Sequence, residues 1–263
     1  MSLIYEPTGR AREYSPLALN IYNGCTHGCL YCYVPAIMRK ERDEFKRDVM
    51  PRKTFNLEKL ERDADRLYGD PRQVLLSFTS DPYQPAEQEY RFTRGSLRIL
   101  LAHEMKVAIL TKSEAVLEDM GLIAQFGKHV KVGTTLTTVS DTLAGNWEPH
   151  AAAPGVRVGM LEMFHREGIL TWISMEPVMD AIESLNALRA ALPFVDEVRL
   201  GKLNHDPERE AMIDWDSYLA NTLSILRGQG KLVVVKKDLR GAAPRVMPDG
   251  IADSADATVA LDW

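Results

Sequence analysis

Cysteine is scarce in this chain: 263 residues contain three, and all of them fall between positions 25 and 32. An odd number cannot pair completely in disulfides, and the polar, charged stretch from Met1 to Pro16 does not look like a secretory signal. A reducing cytoplasm is the expected compartment. No apolar run approaches the ~18 to 20 residues that a membrane span needs, so no membrane association is expected. An excess of basic residues is lacking as well, because 32 Lys and Arg stand against 37 Asp and Glu, a net charge of −5. That balance gives no global attraction for a long polyanion, so a nucleic-acid or nucleoside substrate has no support from charge. Linkers, repeats and low-complexity tracts are also missing. With 45% hydrophobic residues, a chain of this length can fill the core of one domain. A single domain over residues 1–263 is expected, with 1–16 as an N-terminal arm and 238–263 as a C-terminal cap or tail.

Runs rich in β-branched and large apolar residues occur at Leu17 to Tyr22, Gln73 to Phe78, Lys106 to Leu110, Val130 to Thr135, Leu170 to Met175, Glu197 to Leu200 and Lys231 to Val235. These read as strands. Helix-period stretches lie between them at Asn56 to Tyr68, Thr93 to Glu104, Ala115 to Phe126, Val156 to Glu167, Ile182 to Leu192 and Trp215 to Arg227. Alternation of this kind predicts an α/β fold of parallel strands with helical crossovers, a barrel or part of one, with functional groups at the carboxyl ends of the strands.

The three cysteines stand in Cys25-Thr26-His27-Gly28-Cys29-Leu30-Tyr31-Cys32, directly after the first strand and the turn residues Asn23-Gly24. Three soft thiolates spaced C-x₃-C-x₂-C in one tight loop suit an iron–sulfur cluster with one iron left free of protein ligands, and an open metal position is where chemistry takes place. A zinc site adding His27 as fourth ligand is the alternative, although structural zinc sites draw ligand pairs from separate segments.

This motif, with Tyr31 just before the last cysteine, resembles the radical S-adenosylmethionine enzyme superfamily. The resemblance implies that Cys25, Cys29 and Cys32 bind a [4Fe–4S] cluster whose fourth iron chelates S-adenosylmethionine, that a 5′-deoxyadenosyl radical then abstracts hydrogen from a substrate, and that the fold is a partial (β/α)₆-type TIM barrel. It also implies an external one-electron reductant such as flavodoxin or ferredoxin. Thr79-Ser80-Asp81 together with Cys-x-Tyr-Cys-Tyr resembles the spore photoproduct lyase branch, which gives Ser80, with Asp81 beside it, the amino end of the cofactor, and Lys112 its carboxylate. In the same way Thr135, with Thr137 in reserve, falls to the ribose, Glu176 to the adenosine or the substrate, and Tyr31 to the cofactor surroundings. Tyr33 falls to a late radical-transfer step.

Each of these positions also has a plainer explanation in local structure. Ser80 and Asp81 before Pro82 form an ordinary turn, and the prolines at 82 and 85 are expected to keep that loop irregular. Lys112 precedes a Ser N-cap, threonine is a good strand residue, Glu176 could face solvent, and a tyrosine beside a cluster can be mere packing. Glu148 and Arg157 are expected to meet as an ion pair at the mouth. Lys202, Asn204, His205, Lys236, Lys237 and Arg240 read either as a solvated face or, if they face the mouth, as a site for an anionic substrate. One departure from the lyase pattern is sharp: Phe78 stands where the resemblance expects the cysteine that returns a hydrogen atom to the product radical. Spore photoproduct repair is therefore not expected, and another substrate is, a nucleobase or small anionic metabolite. A non-catalytic iron–sulfur carrier or sensor is the rival from another class.

Overall fold

The structure is a computed structural model that describes residues 2–246; Met247 to Trp263, most of the expected cap or tail, lies outside the described residues. The strands are β1 (Ile4–Tyr5), β2 (Leu17–Leu19), β3 (Tyr22–Asn23), β4 (Met50–Pro51), β5 (Gln73–Leu76), β6 (Lys106–Leu110), β7 (Val130–Thr135), β8 (Leu170–Met175), β9 (Glu197–Leu200) and β10 (Leu232–Val235). Eight of them form one sheet in the order β1-β2-β5-β6-β7-β8-β9-β10. Every neighbouring pair from β2 onward is parallel, and β1 adds antiparallel to the outer edge of β2. The two edges, β1 and β10, do not bond each other, so this is a partial barrel. Among the described residues seven strands are parallel, one more than a six-unit barrel has.

Side chains alternate across a strand, and the sheet uses both faces. Val74, Leu76, Val107, Ile109, Val132, Ile173, Val198 and Val233 join the large core beneath the helices. The alternate positions Leu75, Ala108 and Trp172 form a small cluster on the inner face, with Tyr14, Phe78 and Leu110 packed against it. Charge is buried here as well. Glu197 pairs with Lys131 and Arg199, each at 2.5 Å, and both cations lie over the Trp172 ring, at 5.4 and 5.2 Å. Arg199 also donates to the carbonyls of Glu13 and Tyr14 at 2.8 and 2.6 Å. The N-terminal segment is thus held on the inner face, with Tyr14 6.3 Å from Trp172 and 6.0 Å from Phe78 between ring centres. Asp63 anchors its start by accepting from Ser2 Oγ at 2.8 Å and the Leu3 amide at 2.5 Å. What reads as an arm in the sequence is therefore part of the fold, and it fills the inner face below the carboxyl ends.

The expected helices at Leu57–Arg66, Phe92–Ala102, Pro154–Arg166, Ala181–Ala191 and Trp215–Leu226 form within a few residues of their sequence limits. Three segments differ. The first apolar run breaks into β2 and β3, because the Asn20 side chain turns to accept from the Phe78 and Thr79 amides at 2.9 and 3.1 Å, and Tyr22 then pairs with Pro51. Residues 115–126 form a 3₁₀ turn at Glu114–Asp119 followed by a short helix at Met120–Ala124. The loop after β5 is not irregular throughout: a helix runs over Pro85–Tyr90, since a proline at the first helical position lacks only an amide that would have had no partner.

Gly133 has no room for a side chain, as a Cβ would stand 2.5 Å from the Trp172 carbonyl and 2.6 Å from its ring. Gly133→Ala is expected to destabilise the fold by about 1–3 kcal/mol through overpacking, read as a lower urea midpoint at unchanged slope.

Candidate active site at the cysteine loop

The loop leaves β3 through Gly24, whose φ of +80° and absent side chain let the backbone pass Phe45, where a Cβ would sit 2.7 Å from the carbonyl oxygen. The Cys25 amide then donates to Phe45 O at 3.0 Å, and the Leu30 amide to Trp147 O at 2.9 Å. All three cysteines are free, with Cys29 buried and the other two partly so. Burial, then the Asp81 and Cys29 charges, push the Cys25 thiol up to about 12, so a metal must displace a proton to bind it. The fit to a single zinc ion is poor. Both ring nitrogens of His27 face acceptors, His150 O at 3.1 Å and Asp81 Oδ2 at 3.0 Å, and among the described residues no three His, Cys, Asp or Glu converge to hold one ion. Three free thiols in one loop would instead suit an iron–sulfur cluster held by Cys25, Cys29 and Cys32.

Asp81 is buried and accepts from four donors: His27 Nε2 at 3.0 Å, Thr111 Oγ1 at 2.6 Å, and the amides of Lys112 and Tyr83 at 2.7 and 2.9 Å. Burial raises its pKa, but His27, Thr111 and the Lys112 amide outweigh that and bring it down to about 2. Its oxygens are thus committed to the protein, and Asp81 positions the loop. Ser80, beside it, donates to Gly24 O at 2.7 Å, which leaves its lone pairs for a ligand donor.

Lys112, expected near the cofactor carboxylate, is largely buried at the end of β6. Its ammonium lies 5.6 Å over the Tyr31 ring and 3.8 Å from Glu148. Burial lowers its pKa, yet Cys29 and Glu148 raise it further and keep it charged. The expected pair is present: Arg157 meets Glu148 at 2.5 Å with both side chains buried. Tyr31 donates to the same carboxylate. Arg157 also donates to Thr135 O at 3.0 Å, so the Thr135 backbone belongs to this group; Thr135 ends β7, and both it and Thr137 are buried.

Glu176 belongs to a second group. It accepts from Tyr14 at 2.9 Å, from Asn204 at 3.3 Å and from the Lys236 ammonium, and Ser174 bonds the Tyr14 oxygen at 2.9 Å. Lys236 is buried rather than part of a solvated face, and burial lowers its pKa. Lys202 pairs with Glu210. Two of the expected mouth cations are therefore already neutralised by carboxylates. Tyr33 is half-exposed; burial first, then Tyr14, Cys32 and Glu176, raise its hydroxyl to about 12, and its ring lies 6.5 Å from His205. Tyr14, Gln84 and the Glu197 pairings carried no signal in the sequence, because each gains its meaning from a partner far along the chain.

A cavity of 480 Å³ opens behind the loop, lined in part by Thr26, His27, Gln84 and Asp119, with none of the expected cofactor residues in its wall. A smaller one, 110 Å³, has Thr137, Trp147, Glu148 and Arg209 in its wall, and it is the one that adjoins the Lys112–Glu148 group. No described helix is long and apolar enough to cross a membrane.

A parallel partial barrel with a three-cysteine loop shortly after its first parallel strand defines a class, and comparison with known proteins gives the family. Residues 19–196 match the family model of the Radical SAM superfamily, and the chain belongs to that superfamily. An uncharacterized protein of Methanocaldococcus jannaschii is 28% identical over 193 residues, covering 73% of this chain and 72% of its own length. Uncharacterized proteins of Acidianus two-tailed virus and Mycobacterium tuberculosis are 27% and 26% identical over 61% of this chain, which spans about half their length, 55% and 49%. Among solved structures, a spore photoproduct lyase mutant with bound AdoMet and dinucleoside spore photoproduct superposes with a TM-score of 0.62 at 12% identity, covering 78% of this chain and 63% of that one. Streptococcus suis SuiB bound to its precursor peptide SuiA gives 0.64 at 13%, covering 90% and 53%. At such identities the likeness is one of fold.

Asp81 titrates below an ordinary carboxyl in the folded state, so its contribution is complete above about pH 4 and is lost as the pH falls through 2. The stability gap between the wild type and Asp81→Asn is expected to shrink by about 2 kcal/mol from pH 6 to pH 2, measured by urea unfolding across that range.

Proposed function

We propose that this protein is a radical S-adenosylmethionine enzyme in which Cys25, Cys29 and Cys32 hold a [4Fe–4S] cluster. The observation that carries the reading is the meeting of the free three-thiol loop with the buried Tyr31, Lys112, Glu148 and Arg157 group at the carboxyl ends of the strands. Bound there, cluster and S-adenosylmethionine supply a hydrogen-abstracting radical. Ser80 offers acceptor lone pairs to the cofactor amino group, and Lys112 a fixed cation to its carboxylate. Thr135, with Thr137 in reserve, would hydrogen-bond the ribose, and Glu148, held by Arg157, keeps Tyr31 and Lys112 in place. Glu176, oriented by Tyr14, Asn204 and Lys236, faces the substrate side. An external one-electron reductant of the flavodoxin or ferredoxin kind, in the cytoplasm, completes the system.

Phe78 packs against Tyr14 on the inner face, and no cysteine lies outside the cluster loop. A substrate radical formed here has no thiol of this chain to take hydrogen from, so Tyr33 is the donor available. The substrate we propose is a nucleobase or small polar metabolite that hydrogen-bonds with the Glu176 group. Pairing of Lys202 and Lys236 with carboxylates argues against a highly anionic one.

Anaerobic reconstitution followed by S-adenosylmethionine and dithionite should yield 5′-deoxyadenosine. Replacement of any of the three cysteines by Ala should abolish both cluster and product; a cluster carrying no cleavage activity would instead identify a carrier or sensor. Lys112→Ala should keep the cluster and weaken cofactor binding by about 1.5–3 kcal/mol, and an unchanged dissociation constant would remove Lys112 from the site. With a spore photoproduct dinucleotide, 5′-deoxyadenosine should form with no more than traces of restored thymine; repeated clean turnovers would refute the substrate assignment.

A further inference from the structure

Gln84 is 1% exposed and stands at the N-cap of the Pro85–Tyr90 helix, yet its side chain makes no capping bond. It reaches instead into the cysteine loop. Its Oε1 accepts from both the amide and the hydroxyl of Thr26 at 2.7 Å, and its Nε2 lies 3.0 Å from Cys25 Sγ. The orientation of the amide is fixed by chemistry, because the Thr26 N–H can only donate and so must face the carbonyl oxygen. The NH₂ group is thereby aimed at the sulfur.

We propose that Gln84 is a positioning residue that sets the reduction potential of the cluster through this N–H···S bond. The inference rests on the cluster assignment above. A donor on a ligating sulfur favours the state with more negative charge, here the cluster after it accepts one electron from the external reductant. The same side chain fixes Thr26, the residue between Cys25 and His27, so one amide both shapes the loop and tunes it. It is also in the wall of the 480 Å³ cavity behind the loop.

Gln84→Glu separates the two roles, since a carboxylate still accepts from Thr26 but has no N–H for the sulfur; Gln84→Met removes both bonds at similar volume. Reconstituted wild type and variants are compared by iron and sulfide content and by EPR-monitored redox titration. Both variants should be harder to reduce by at least tenfold, about 59 mV for a one-electron couple, with Gln84→Glu loading iron as the wild type does. Equal midpoints at full iron loading would overturn the proposal. Should neither variant load, pulsed EPR on the reduced wild type with ¹⁵N-labelled glutamine decides: a hyperfine coupling to a side-chain amide nitrogen supports the bond, and its absence overturns it. A wild type that binds no iron and sulfide would instead overturn the cluster assignment itself.

Discussion

The buried carboxylate of Asp81 is the contact on which the arrangement of the mouth depends, because its four donors arrive from three separate stretches of chain. His27 comes from the cysteine loop, Tyr83 from the turn after β5, and Thr111 and Lys112 from the end of β6. A buried carboxylate without partners would be costly. With four it becomes a clamp that holds the loop to the sheet and sends the Lys112 side chain toward Tyr31 and Glu148. It also takes His27 out of reach of a metal, leaving the three thiols as the soft donors of the loop.

Around that clamp the protein gathers buried charge in separate groups. On the inner face, Glu197 pairs with both Lys131 and Arg199, and both cations cover Trp172. At the mouth, Glu148 serves Arg157 and Lys112 while Glu176 serves Lys236. Each group is local, so a net charge of −5 says little about the field at the mouth. The inner-face group and Tyr14 fill the barrel from below and leave the carboxyl ends as the open side, where the cysteine loop stands. Packing at one end of the sheet leaves the candidate site at the other.

Most of the fold was legible in the sequence because strand and helix periods are local properties: seven apolar runs mark the seven parallel strands, and five of six helix-period stretches form helices close to their expected limits. The misreadings came where a distant partner overrode a local preference. Asn20 ends β2 because its side chain is needed by the amides after β5. Pro85 starts a helix where its presence in a proline-rich loop suggested none. The first sixteen residues lack periodicity, yet the described part, from Ser2 on, is held by Asp63 and Arg199, which lie far along the chain.

By itself the sequence determined that a three-thiolate loop follows the first strand of an α/β chain, since ligand spacing within eight residues survives any folding of the rest. It also determined that position 78 offers no thiol. Tertiary structure alone decided which charged groups are spent on the protein and which face the mouth. Asp81 reads in the sequence as a turn residue beside the cofactor, and Lys202 and Lys236 as a solvated face or an anion site; only the parallel sheet, by bringing successive carboxyl ends side by side, gives each of them its partner. Gln84 illustrates the physical reason most plainly: 59 residues separate it from Cys25, and no local pattern encodes a hydrogen bond that exists only once two loops have been folded against each other.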